Sequence, residues 1–117
     1  MQAAEAPSAP ATGRSEWPQW RGPGGQAQLA QDHFPNPWPA QPPRVVWQVG
    51  LGTGWSSPVV AEDKVFITDR SSGQERVLAF AADTGRELWK KGHEIDFDPH
   101  AVGRQHGNGP KATPLVD

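Results

Sequence analysis

The side chains with chemistry to offer gather late in the chain. Residues 96–111 hold Asp96, Asp98, His100, Arg104, His106, Asn108 and Lys111, interrupted by Pro99, Gly103, Gly107, Gly109 and Pro110. Carboxylates and imidazoles at short intervals are the raw material of a metal site. A metal, however, needs several ligands converging on one point, and this spacing matches no metal-binding pattern. Arg104 and Lys111 offer charge to an anionic ligand or a carboxylate. The third outcome is a surface loop ordered by its own side-chain hydrogen bonds. A long, polar, glycine-rich connection is also where binding function tends to reside. None of these residues is assigned a catalytic or metal-ligating role.

Several chemistries are excluded elsewhere. The chain has 117 residues and no cysteine. That removes a disulfide framework, a thiolate metal site, a cysteine nucleophile and a lipidated N-terminal Cys. The formal net charge is −2 and no Lys/Arg cluster exists, which argues against a nucleic-acid partner. No apolar run approaches the roughly 20 residues of a membrane helix. Gly50-Leu51-Gly52-Thr53-Gly54 lacks the Lys-Ser/Thr ending and the following helix of a phosphate-binding loop.

The elements that must position residues 96–111 lie just before them. Residues 1–15 are rich in Ala, Pro and Ser and read as a flexible N-terminus or linker. They have neither a basic start nor an apolar core, so they are no signal peptide. Residues 16–43 are punctuated by Pro, Gly and Trp, with a turn at Pro23-Gly24-Gly25. Prolines around Phe34 and Trp38 forbid a central strand. This segment is expected to drape over a folded body as an irregular aromatic cap, inserting its rings into it.

From Arg44 the pattern changes to short apolar runs separated by turns. Strands are predicted over residues 45–49, 57–61, 64–69, 76–81 and 87–90. Val65-Phe66-Ile67 and Val77-Leu78-Ala79-Phe80 are apolar at consecutive positions, so both faces of those strands should be covered. A sheet stacked between similar sheets has that property, as a propeller blade does.

There is also an internal echo. Trp47 and Trp89 stand 42 residues apart, and each is followed by a Ser/Thr-Pro-apolar strand: Ser57-Pro58-Val59-Val60, then Thr113-Pro114-Leu115-Val116. The period suits a four-stranded propeller blade. The second interval, from Trp to Pro, is 14 residues longer than the first, and residues 96–111 fall in it.

Residues 79–89, Ala-Phe-Ala-Ala-Asp-Thr-Gly-Arg-Glu-Leu-Trp, resemble the tryptophan-docking motif of quinoprotein (PQQ-like, BamB-like) β-propeller repeats. Ala79, Thr84, Gly85 and Trp89 match it as structural residues, while Ala81 stands where the motif has Asp. The opening Trp17-Pro18-Gln19-Trp20-Arg21-Gly22-Pro23 resembles the start of large bacterial proteins with such repeats. The resemblance implies an all-β fold: one four-stranded antiparallel blade and the start of the next over residues 44–117, with the remaining blades needed in cis. In it, Gly85 supplies the turn, Thr84 holds it, and Trp89 lies flat between blades.

The resemblance implies a function too. A non-catalytic module of an exported bacterial protein would scaffold, or bind a protein or polymer partner of the cell envelope, in the periplasm or outside the cell. The alternative is part of a PQQ-dependent alcohol or sugar dehydrogenase, with PQQ and Ca²⁺ as cofactors. The loops after the outer strands lie on the cofactor face in this family, which makes His100, Arg104, His106, Asn108 and Lys111 the candidates for cofactor contact.

Overall fold

The computed structural model describes residues 16–28 and 37–117. The reading of residues 1–15 as a linker, and of Phe34 as part of the cap, lies outside the described residues. Four strands form one antiparallel sheet in chain order: β1 (Val59–Ala61), β2 (Lys64–Ser71), β3 (Gln74–Ala81) and β4 (Glu87–Glu94). The sequence places the hairpins with short polar turns. Glu62 and Asp63 both take positive φ, 50° and 58°, and so do Ser72 and Gly73, at 51° and 75°. Two successive left-handed residues make the hairpin turn whose twist matches the flanking strands. Between β3 and β4 the register slips at Ala79/Phe80, so Trp89 faces Ala79 while Glu87 faces Phe80. The extra residue is a bulge that bends β4.

Register divides the side chains into two faces. Val59, Phe66, Ala79 and Trp89 lie in one row across the strands, and Thr68, Arg70 and Glu75 share their face. Ile67, Asp69, Arg76, Leu78 and Phe80 point to the other. Leu78, Ala79 and Phe80 are all buried, so that part of β3 is covered on both sides as expected, while Val77 of the same apolar run is 37% exposed.

The stretch 47–53 is fixed at both ends, and its Gly52 meets Asp69 on one face of the sheet. The Trp47 indole N–H donates to the Ala82 carbonyl at 2.9 Å, and Thr53 exchanges backbone hydrogen bonds with Arg70 at 2.9 and 2.7 Å. The opposite face receives the chain that follows β4. It includes a one-turn helix, α1 (Ala101–Arg104), and returns past Thr68, whose hydroxyl donates to the Ala112 carbonyl at 3.1 Å.

Two sequence expectations need correction. Residues 45–49 form no strand, and Val45 and Val46 are 73% and 69% exposed. Trp47 anchors this segment through its ring on Gly85 and its indole N–H on the Ala82 carbonyl. The aromatic cap inserts its rings only in part. Trp17 packs against Gly22 and bridges to Val60, but Trp20 and Trp38 stand exposed. The 96–111 segment is also less uniform than a plain loop, since residues 101–104 close one helical turn.

Candidate functional site

Site geometry begins at the end of the sheet where β2 turns into β3. Asp69 is 2% exposed and holds three hydrogen bonds. Arg76 Nε donates to Oδ1 at 2.8 Å, Arg76 Nη2 to Oδ2 at 2.6 Å, and the Gly52 N–H to Oδ2 at 2.6 Å. A carboxylate matched by a two-pronged guanidinium and a backbone N–H is satisfied in its buried position. Burial pushes the Asp69 carboxyl up, but the Arg76 and Gly52 hydrogen bonds and the Arg76 charge outweigh it, and the group titrates below the usual carboxylate range. Gly52 is required by space: a Cβ there would meet the Arg70 carbonyl. The pair ties 47–53 to both central strands.

On the opposite face Arg70 performs the matching task for the long loop. Its Nη1 donates to the Phe97 and Asn108 carbonyls at 3.0 and 3.1 Å, and its Nη2 to the Ile95 carbonyl at 3.4 Å. One guanidinium therefore holds the start and the end of the loop against β2. The Trp55 indole N–H donates to the His106 carbonyl, and the Trp55 N–H to the Pro110 carbonyl at 2.8 Å. Gly109 sits against Thr53, where a side chain would collide with the Thr53 carbonyl.

The loop encloses an open pocket of about 510 Å³. Glu75 from β3 forms one wall, and Phe97, His100, His106, Asn108 and Lys111 come from the loop. That size suits a small-molecule site. Four of the five sequence candidates thus meet around one cavity. Arg104 does not line it. Its Nη2 donates to Asp98 at 2.9 Å and its Nε to the Pro99 carbonyl at 3.2 Å, so it braces the loop's own turn. Among the described residues, no three His, Cys, Asp or Glu side chains gather to hold a metal ion. Ca²⁺ takes six to eight oxygen ligands, whereas the pocket's side-chain oxygens come from Glu75 and Asn108 alone, and these residues do not fit that ion.

The docking-motif residues fall at the other end of the sheet. Gly85 has φ +69°, its N–H donates to the Ala81 carbonyl at 2.9 Å, and the Thr84 hydroxyl accepts from the Arg86 N–H at 3.4 Å. Ala79 is fully buried beneath. The ring on this turn is Trp47, and a Cβ on Gly85 would lie 2.6 Å from it. Trp89 is 40% exposed and leans on Phe66, ring centroids 6.0 Å apart. The turn thus receives the tryptophan that precedes the sheet. The motif's own tryptophan is displayed on the outer face.

No family model matches this chain, and neither the curated proteins nor the solved structures contain a match to it. The sheet and its pocket define the class on their own: an antiparallel four-stranded β-module with a braced loop pocket.

Sequence reasoning missed Glu75, Phe97 and Arg70 as parts of the site. Arg70 carried one faint signal, a cation near the end of a strand with the apolar run Val65-Phe66-Ile67. Asp69 and Arg76 carried a similar one, opposite charges flanking a hairpin. Neither spacing says which face a side chain takes, and so neither says what it meets.

Proposed function

We propose that this chain is a repeat module of a quinoprotein-like β-propeller and that it serves binding or scaffolding outside the cytoplasm, not catalysis. The observation that carries the reading is Trp47. It is a tryptophan from before the sheet, seated on the Thr84-Gly85 turn with its indole N–H on the Ala82 carbonyl. Trp89, 42 residues later, offers the same ring on the open face. A chain of like units would repeat that contact from one sheet to the next. The ligand surface in this reading is the braced pocket of Phe97, His100, His106, Asn108 and Lys111. Its donor set supports a binding role over a Ca²⁺-dependent dehydrogenase, and fold alone never implies the cofactor.

The test is titration of the whole protein with PQQ and Ca²⁺, followed by absorbance and fluorescence, with a dye-linked alcohol oxidation assay alongside. The expected result is no saturable spectral change and no dye reduction. Saturable binding with dye reduction overturns the reading in favour of a dehydrogenase.

A further inference from the structure

The stretch 16–18 occupies a position between two pieces of chain that the sequence repeat makes equivalent. Ser57-Pro58-Val59-Val60 and Thr113-Pro114-Leu115-Val116 are the paired copies. They meet at their first residues, where the Ser57 N–H donates to the Thr113 hydroxyl at 3.1 Å, linking corresponding residues. Their last residues, Val60 and Val116, both bond to the N-terminal stretch. Trp17 exchanges two backbone hydrogen bonds with Val60, at 2.7 and 2.8 Å. The next residue, Pro18, accepts from the Val116 N–H at 2.9 Å.

Neighbouring residues of an extended chain turn their hydrogen-bonding groups to opposite sides. Trp17 serves β1 and Pro18 serves the second copy, which is the pattern of a strand laid between two others. Proline suits its position, because it has no N–H to leave unpaired. Glu16 adds a third hold, its Oε1 accepting from the Glu62 N–H at 3.2 Å. Beyond Gln19 the chain folds back at Gly22, whose φ of +71° and missing side chain let it pack against the Trp17 ring.

We propose that the slot between β1 and residues 113–116 is a strand-accepting groove for an extended Trp-Pro peptide, and that residues 16–18 fill it in cis. An unfilled β1 edge would present free N–H and C=O groups to any extended chain. The seated segment closes that edge and joins the two copies through one strand. The equivalence of Val60 and Val116 rests on the repeat reading; the hydrogen bonds do not.

The test uses the full chain carrying Trp17→Pro, which removes the N–H that donates to Val60, and a labelled peptide of residues 15–22, with binding read by fluorescence anisotropy. The substituted chain is expected to bind the peptide at least about tenfold more tightly than the unsubstituted chain, whose groove is filled. A peptide carrying the same Trp17→Pro change is expected not to bind. Equal affinity of the two chains, or no binding to a folded Trp17→Pro chain, overturns the proposal. Should circular dichroism show that the substituted chain has unfolded, amide exchange on the unsubstituted chain decides. Slow exchange at both Val60 and Val116, lost together in mild denaturant, supports the shared strand, and a protected Val60 beside a freely exchanging Val116 refutes it. Neither readout involves quinone binding, so the propeller reading can fail while the groove stands.

Discussion

The two tryptophans 42 residues apart meet different fates against one sheet. Trp47 arrives from outside the sheet, sits on a glycine that no other residue can replace without a clash, and has its N–H satisfied. Trp89 belongs to the sheet itself, yet is 40% exposed, with a tilted ring contact to Phe66. Residues 47–53 reach the Asp69 face at Gly52, and the long loop returns past Thr68 on the Trp89 face. The difference shows that this motif does not complete its own sheet. It supplies the seat for the preceding tryptophan and displays a ring that the same sheet does not bury.

Alanine at the two positions is the most direct way to break the comparison. Trp47→Ala is expected to cost about 3 kcal/mol in denaturant unfolding, because it empties a packed site and leaves the Ala82 carbonyl without its donor. Trp89→Ala should cost about 1 kcal/mol in the same experiment, since much of its ring already meets water. Equal losses would mean that the two rings are equally held.

Asp69 sharpens the contrast from the face that Gly52 meets. Asp69→Asn should cost about 2–3 kcal/mol at pH 7 by breaking a buried hydrogen-bonded charge pair. The folded carboxyl titrates below its ordinary range. Its stabilising contribution is therefore complete above the unfolded value of about 3.9 and is lost as pH falls through the lower, folded value. Urea midpoints measured from pH 5 down to pH 2 should fall in the parent, and the part of that fall owed to this pair should vanish in Asp69→Asn.

A smaller effect is expected at the seat itself. Gly85→Ala meets both a positive φ and the Trp47 ring, and a loss of about 2 kcal/mol is expected. Combined with Trp47→Ala, the steric part should disappear, so the double substitution should cost less than the sum of the two. The smallest global effect belongs to the other face. Arg70→Gln should change stability by about 1 kcal/mol or less while speeding proteolysis and amide exchange within residues 95–108, because Arg70 clasps both ends of that loop.

Much of the sheet was legible in the residues. Short apolar runs divided by Glu62-Asp63, Ser72-Gly73 and Ala82–Gly85 placed all four strands, because turn residues and alternation act over a few positions. The run at 45–49 has the same local composition and forms no strand. What separates it from the others is the long-range seat of Trp47, 35 residues from its partner Ala82. The loop candidates were half legible for a similar reason. Glycines and polar side chains marked 96–111 as a site, and four of its candidates line one pocket. Arg104 looked no different from Lys111 on paper, and only the nearness of Asp98 and the Pro99 carbonyl drew it away from the pocket.

By itself the sequence determined the strands, their hairpins, the Thr84-Gly85 turn and the segment that would carry the pocket. Each depends on backbone preferences and polarity within a few residues. The tertiary structure alone decided which tryptophan occupies the turn, that Arg70 and Asp69 hold opposite faces, that Glu75 walls the pocket, and that Trp17 and Pro18 bridge Val60 and Val116. Those contacts join residues far apart in the chain, and their partners are chosen by register and by which face a side chain takes, properties that exist only once the strands have paired.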